Sequence, residues 1–135
     1  MRNFVRNHKI LTSAGALLAC FILWSVVWSV TASARGELIT RYDISRGHYE
    51  VQGYGLPVPW RPEYSRLLHE RYGIEFRTVA LCIVSTELVA YADSYNGMST
   101  AAANRKFGHD VFKECAEEAR KNWEQARKLA NAQSH

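Results

Sequence analysis

Residues 37–52, ELITRYDISRGHYEVQ, decide which fold the sequence predicts. As a strand, 37–44 would place Leu38, Thr40, Tyr42 and Ile44 on one face, the period of a strand with one buried face. Tyr49 and Val51 alternate in the same way with polar neighbours. The turn segment 45–47, SRG, ends in a glycine, as hairpin turns often do. The stretch therefore predicts an antiparallel hairpin with one face in water.

The chain that follows this hairpin predicts a loop, a helix and a third strand. Residues 53–62, GYGLPVPWRP, contain all three prolines of the chain and predict the loop. Pro62 suits the first turn of a helix and Gly73 suits its end. Residues 74–84, IEFRTVALCIV, alternate at first and then become apolar on both faces. That pattern predicts a strand that runs into the buried centre of a sheet.

Residues 87–95 leave two alternatives open, a partner strand or a short helix, because their alanines weaken the strand. The Asn-Gly pair at 96–97 predicts a turn. From Ser99 the pattern is helical, with a break at Gly108 and a second helix capped by Asp110. Together these elements predict an α+β fold, a small ββαββα antiparallel sheet with helices packed on one face.

The N-terminal part of the chain predicts a membrane or export segment. Residues 1–9 carry three basic side chains and no acid, and residues 10–30 carry no charge. As a helix, these 21 residues span about 31 Å, close to the bilayer hydrocarbon core of about 30 Å. A transmembrane anchor is the favoured interpretation. Two alternatives are a cleaved secretory signal ending in the Ala-Ser-Ala of 32–34, and a lipoprotein signal at Cys20.

The sequence then divides into a basic flank, 1–9, an anchor or signal segment, 10–34, and a single domain, 35–135. The basic flank favours a cytoplasmic N-terminus and a domain outside the cell membrane, or secreted or periplasmic if the signal is cleaved. The chain has 17 Lys and Arg against 13 Asp and Glu, a net charge of +4. Past residue 34 the counts are 14 and 13, so the domain is nearly neutral. Nucleic-acid binding is therefore not expected.

Cys82 and Cys115 are the two cysteines that follow the apolar segment. In an oxidising compartment they form a disulfide if their Cα atoms lie within about 7 Å. The alternative is that both are small buried apolar side chains. The predicted apolar strand around Cys82 and the predicted helix around Cys115 offer no activation of a thiolate, so catalysis by either is not predicted.

His109 and Asp110, at the predicted start of a helix, form the most site-like pair in the sequence. A histidine and a carboxylate at a helix N-terminus can bind a metal ion or an anion, whereas the alternative is an N-cap aspartate beside a surface histidine. Tyr95 and Asn96 are placed with this pair in a small polar pocket. The sequence contains no metal-ligand spacing and no nucleotide-binding glycine motif, so no metal and no cofactor are predicted.

The loop around Tyr54, Trp60 and Arg61 is aromatic and rich in proline. Because Trp, Tyr and Arg dominate binding hot spots, this loop is a candidate for the edge that binds a partner. The alternative is that Trp60 folds back and covers the end of the sheet.

These observations predict a small membrane-anchored or exported protein whose domain binds a protein or envelope partner, with the lipid bilayer as its other partner. No catalytic set is assembled in the sequence, so binding is favoured over catalysis. One alternative is a small hydrolase or ligand-binding domain with a polar site around His109, Asp110 and Tyr95. Another is a single-span accessory subunit of a membrane complex.

Overall fold

The computed structural model describes residues 2–133, with the side-chain surroundings of residues 15–132. In chain order the elements are α1 (Arg2–Val30), α2 (Ala32–Ser45), β1 (Tyr49–Gly53), α3 (Arg61–Tyr72), β2 (Ile74–Thr78), α4 (Thr86–Phe107) and α5 (Val111–Gln133). The chain divides into two compact units, Met1–Ala32 and Ser33–His135. The first contains α1. The second, which we call the domain, contains both strands.

Two short parallel strands lie at the centre of the domain. β1 pairs with β2 in a register that runs from Tyr49 opposite Ile74 to Gly53 opposite Thr78. The Val79 N–H donates a hydrogen bond to the Gly53 carbonyl at 2.9 Å, so the segments that follow the two strands leave the sheet side by side. We call this end of the sheet the carboxyl edge.

The helix predicted between Pro62 and Gly73 is confirmed, and it is the connection that parallel strands require. α3 begins at Arg61, immediately before the proline. Gly73 adopts the left-handed conformation, with φ of 65°, and its N–H bonds back to the carbonyls of the last turn. This sharp end lets β2 begin at the next residue.

An apolar core lies on one face of the sheet and draws side chains from α3, α4 and α5. Its buried members are Leu67, Leu68, Ile74, Ala103, Val111, Cys115 and Ala119. Tyr49 and Val51 of β1 pack against this cluster. Because successive side chains of a strand point to opposite faces, Glu50 and Gln52 point away from it. The sheet thus has one apolar and one polar face.

α4 packs across β1 in the opposite direction to the strand. The Tyr54 hydroxyl, just after β1, donates to Asp93 in the first half of α4. The ammonium of Lys106, in the last turn of α4, lies 4.5 Å from the centre of the Tyr49 ring at the start of β1. α4 therefore begins near the carboxyl edge and ends at the opposite end of the sheet.

α2 packs closely on α4 through a glycine and a threonine. A Cβ atom on Gly36 would lie 2.4 Å from the Tyr91 carbonyl oxygen, so no larger residue fits there without a shift. Thr40 is fully buried, and its hydroxyl lies 2.7 Å from the Gly36 carbonyl and 3.4 Å from that of Tyr95. The small side chains bring the two helix backbones together.

The predicted antiparallel hairpin is wrong, because residues 37–44 belong to α2 and only Tyr49–Gly53 form a strand. In a helix, Gly36, Thr40 and Asp43 are spaced by four and three positions and share one face. That face packs on α4, whereas the side chains at period two are spread around α2. Packing on a neighbouring helix overrides the strand-like alternation.

The predicted ββαββα antiparallel sheet is also not formed, since the described residues contain two parallel strands and five helices. The predicted strand over 74–84 ends at Thr78, and the apolar residues that follow form an irregular segment. Residues 87–95, for which a strand and a helix were both open, lie in α4. Two strands are too few to bury an apolar strand on both faces, so this segment stays outside the sheet.

α4 runs unbroken through the turn predicted at residues 96–97 and the cap predicted at Ser99, so both predictions are wrong. Its N-cap is Ser85, whose hydroxyl accepts the Leu88 N–H at 3.2 Å. The end predicted at Gly108 is confirmed, with φ of 79°. A glycine inside a helix costs only about 1 kcal/mol, which packing of the rest of α4 can offset.

The prediction of one transmembrane helix over the N-terminal segment needs correction. Among the described residues no single helix is both long and apolar enough to cross a bilayer. The consecutive pieces Gly15–Val30 and Ala32–Ser45 meet the length and composition criteria only when they are taken together across a bend. The side chains of residues 10–14, which the prediction included, lie outside the described ones.

The close approach of α2 to α4 predicts a large effect of one methyl group. Gly36→Ala should reduce the free energy of unfolding by about 1–3 kcal/mol, because the new Cβ forces the Tyr91 carbonyl away. Gly97→Ala is the matched control, since nothing lies within 4 Å of its Cβ position in the middle of α4. It should be neutral or stabilise by up to about 1 kcal/mol. Urea unfolding followed by circular dichroism measures both. Equal effects of the two variants would contradict this packing.

Candidate functional site

The polar side chains of β1 are buried beneath α4, although the sequence predicted that they would be in water. Glu50 is 7% exposed and Gln52 is 6% exposed. The Gln52 side-chain amide donates to Glu50 Oε1 at 3.0 Å. Burial of a carboxylate is costly unless it is paired, so this strand carries a group that needs partners.

Asn96 of α4 fastens the outer edge of β1. Its Oδ1 accepts the backbone N–H of Gln52 at 2.7 Å, and its Nδ2 donates to the Gln52 carbonyl at 2.7 Å. The side-chain amide thus takes the place of a third strand and satisfies both backbone groups of one residue. Asn96, predicted as a binding residue, makes these structural contacts.

Tyr54 and Tyr95, both predicted binding residues, also face carboxylates from α2 and α4. The Tyr54 hydroxyl donates to Asp93 Oδ1 at 2.7 Å, and this hydrogen bond raises the pKa of Tyr54. The buried Tyr95 hydroxyl donates to Asp43 Oδ2 at 2.7 Å. Burial, and then the bond to Asp43, raise the pKa of Tyr95 far above its usual value. Both phenols are therefore protonated donors at neutral pH.

One histidine and two glutamates lie together at the polar face. His48 Nε2 lies 3.9 Å from Glu50 Oε2 and 4.0 Å from Glu75 Oε2. All three ligand atoms lie within 4.8 Å of one another. Glu75 is opposite Glu50 in the register of the strands, so both carboxylates occupy the same face. Among the described residues this is the group that can hold a metal ion.

The residues of the predicted polar pocket are not brought together. His109 Nε2 lies 2.9 Å from Glu114 Oε2 and 3.2 Å from the Tyr72 hydroxyl, in an exposed cluster. Asp110 Oδ1 accepts the Lys113 N–H at 3.0 Å, the helix cap that the sequence predicted. Tyr95 stands 12 residues before the end of α4, which is about 18 Å along the helix axis.

The predicted binding loop packs partly against the core and partly lines a groove. The Trp60 ring meets Tyr64 edge to face, with 5.9 Å between centroids, and the Arg61 guanidinium lies over the Phe76 ring. A groove of about 410 Å³ runs between this loop and α5. It is lined by Pro59, Trp60, Pro62, Glu63, Asn122, Trp123 and Ala126.

Glu63 gives the wall of this groove a fixed charge. Hydrogen bonds from the Arg66 guanidinium, and then from the Asn122 amide, lower the pKa of Glu63 to about 2. Its Oε1 lies 2.7 Å from Arg66 and 3.1 Å from Asn122 Nδ2. The carboxylate is thus held by the protein itself, and the exposed part of the groove is mainly aromatic and aliphatic.

The cysteines proposed to form a disulfide lie in different settings. Cys82 is exposed in the segment between β2 and α4, and Cys115 is fully buried in the core. Both are free thiols in the structure. Burial raises the pKa of the Cys115 thiol, so it is not activated as a nucleophile.

Exposed apolar side chains mark the two loops at the carboxyl edge. Ile83 is 90% exposed and Leu56 is 75% exposed, and Val58 and Leu81 are exposed as well. The sequence predicted a buried strand for the segment that contains Leu81 and Ile83. These side chains instead give the domain an apolar edge.

Sequence reasoning missed His48, Glu50 and Glu75 as a group. His48 and Glu50 were assigned to a wet strand face, and nothing placed Glu75 beside them. The signal is that Glu75 is the second residue of its strand, as Glu50 is of β1. It becomes informative only when the strands are taken as parallel.

The buried hydroxyl of Tyr95 predicts that the domain loses stability in alkaline solution. The pKa of Tyr95 is higher in the folded than in the unfolded chain. Its contribution to the free energy of unfolding is therefore complete below about pH 10 and is lost as the pH rises further. Tyr95→Phe should cost about 1–3 kcal/mol at neutral pH, since Asp43 loses its donor, and should flatten the alkaline decline. Urea unfolding from about pH 8 to about pH 11 measures both. Tyr42→Phe, at an exposed position of α2, is the control, and an equal loss there would refute the role of Tyr95.

The two thiols should differ in reactivity. A maleimide should label Cys82 in the folded protein and Cys115 only after unfolding, because one is exposed and the other buried. Mass spectrometry of peptides from protein labelled under non-reducing conditions measures each site. Failure of both to react in denaturant before reduction would establish the disulfide instead.

The domain therefore presents a buried polar face with a histidine and two glutamates, an aromatic groove and an apolar carboxyl edge. Comparisons of the chain with protein families, curated proteins and solved structures found no match.

Proposed function

We propose that the protein is a membrane-associated binding protein whose domain rests on the lipid bilayer through its carboxyl edge. The observation that carries the proposal is the exposure of four large apolar side chains on the two loops of that edge, Leu56, Val58, Leu81 and Ile83. Exposed apolar clusters of this kind mark surfaces that bind a partner or a membrane.

Parallel pairing supports a common direction for the two loops. Both strands end at the carboxyl edge, and the bond from Val79 to Gly53 holds the starts of the two loops together. Burying one such side chain contributes about 1.5–3 kcal/mol. Burial of all four would therefore contribute about 6–12 kcal/mol before the cost of association is subtracted.

The N-terminal segment keeps the domain near the bilayer. Its described part is apolar and exposed, including Phe21, Trp24 and Trp28, and the two indoles stack with centroids 6.1 Å apart. Tryptophan favours the interface between lipid and water. A basic, acid-free flank at 1–9 suits anionic headgroups on the cytoplasmic side.

The domain begins at the end that carries the apolar loops. The Ser33 hydroxyl, at the start of the domain, lies 3.5 Å from the Ala90 carbonyl in the first turns of α4. α4 begins near the carboxyl edge, so the first residues of the domain lie there. Because the apolar segment precedes these residues in the chain, lipid is favoured as the occupant of that edge. We propose an extracytoplasmic location for the domain, as the distribution of basic residues indicates.

A protein or envelope partner at the groove between Trp60 and Trp123 remains a prediction from the aromatic character of that loop. The groove has the volume of a small binding site and two indole walls. None of the four apolar side chains of the carboxyl edge is among its lining residues.

The bilayer contact can be tested with the natural thiol of the apolar edge. In full-length Cys20→Ser protein, Cys82 is the exposed thiol among the described residues and takes an environment-sensitive nitrobenzoxadiazole label. After reconstitution into vesicles of phosphatidylcholine and phosphatidylglycerol, lipids with a nitroxide near the headgroup should quench the label strongly.

The control places the same label at the opposite end of the domain. Lys113→Cys, in a background without Cys20 and Cys82, carries it on the first turn of α5, and lipid nitroxides should leave it unquenched. Quenching of Cys82 no greater than that of position 113 would refute a bilayer contact at the carboxyl edge.

A further inference from the structure

We propose that His48, Glu50 and Glu75 form a binding site for a divalent transition-metal ion, with zinc as the ion they fit best. An imidazole nitrogen and two carboxylate oxygens are ordinary zinc ligands. The site goes beyond the bilayer contact, since it lies on the polar face of the sheet and uses none of the apolar loop residues.

The three ligand atoms are close to the spacing that a zinc ion imposes. Zinc binds nitrogen and oxygen at about 2.0–2.2 Å, which places tetrahedral ligands about 3.4 Å apart. His48 Nε2 is 3.9 Å from Glu50 Oε2 and 4.0 Å from Glu75 Oε2. All three ligand atoms lie within 4.8 Å of one another, so the half-exposed side chains of His48 and Glu75 need to move by about 1 Å to close on an ion.

Glu50 distinguishes this group from a chance cluster of surface acids. Its side chain is more than nine-tenths buried, and the Gln52 amide occupies its Oε1. Its Oε2 lies 3.9 Å from His48 Nε2, and the ligand atoms of all three residues lie within 4.8 Å of one another. A largely buried carboxylate held beside two further ligand groups is placed to bind a cation.

The amide that orients Glu50 is itself incompletely satisfied. Gln52 Oε1 is buried and has no hydrogen-bond partner among the described residues, although its Nε2 is bonded to Glu50. The unsatisfied Gln52 oxygen destabilises the fold, while the Gln52 amide holds the Glu50 carboxylate in place. Residues that orient a ligand in this way tune metal affinity.

The strand register supplies an independent reason for a cation. Glu50 and Glu75 are direct partners on the same face of the sheet, and like charges in that position are destabilising. A divalent ion between the strands would neutralise the pair and join β1 to β2.

The site would also leave a coordination position for water. Three protein ligands with an open fourth position are typical of zinc sites that bind an exogenous molecule, whereas structural sites use four protein ligands. Glu75 and His48 are partly exposed, so solvent reaches the ion from that side.

Zinc alone is the probe for the test, with full-length protein in vesicles. Cys20→Ser and Cys82→Ser are introduced first, because exposed thiols bind zinc themselves. Calorimetric titration should show one zinc per chain with micromolar or tighter affinity. Glu75→Gln and His48→Gln should each weaken binding by at least about tenfold.

Glu114→Gln is the matched control, since it alters a second pair of a glutamate and a histidine, 2.9 Å apart. It should leave zinc affinity unchanged. Cobalt substitution gives a second readout, because a visible absorption band should appear in the parent and vanish in Glu75→Gln. No zinc binding, unchanged affinity in Glu75→Gln and His48→Gln, or loss only in Glu114→Gln would each overturn the proposal.

Discussion

The parallel pairing of β1 with β2 is the constraint on which the rest of the domain depends. Parallel strands cannot be joined by a tight turn, so α3 must carry the chain back along the sheet. Gly73 makes this possible by ending the helix in a left-handed conformation one residue before β2. The same pairing sends both outgoing loops to one edge, and it sets Glu50 directly opposite Glu75. The apolar edge and the polar cluster are thus two consequences of one strand arrangement.

A sheet of two strands cannot bury its own faces, so the surrounding helices cover them. The two faces are covered by different helices and through different contacts. α3 and α5 cover the apolar face with side chains such as Leu68 and Val111. The other face is closed by α4, which meets β1 through amides, phenols and carboxylates. α2 reaches α4 only because Gly36 and Thr40 allow a close approach of the two backbones. Stability on that side therefore depends on exact hydrogen bonding more than on apolar area.

Short sequence patterns correctly predicted those elements whose ends are set by residues close together in the chain. The helix between Pro62 and Gly73, its end and the cap at Asp110 follow from residues within a few positions of one another. The identity of 37–44 could not be read in this way, because its alternation is compatible with a strand and the decisive contact lies with Tyr91, far along the chain. The alternation describes only the order of side-chain types along the chain. Packing on α4 decides which of these side chains face inward.

The candidate site shows the same division between local and distant information. Tyr54, Tyr95 and Asn96 were predicted from residue type, and each is placed at the buried polar face or beside it, but in contacts with Asp93, Asp43 and Gln52 that hold helices to the strand. The group most capable of chemistry depends on strand register, which a single sequence leaves open until strand direction is known.

Burying polar and charged groups on this face destabilises the domain relative to apolar side chains, and this penalty argues that the face binds a ligand. A two-stranded sheet under a helix could be closed with valine or leucine at positions 50 and 52, which would add to the core. The chain instead buries Glu50, orients it with Gln52 and places Glu75 opposite, so that two like charges meet. A divalent cation would turn the repulsion into coordination and would make the strand pairing, on which the domain depends, the element that the ion stabilises.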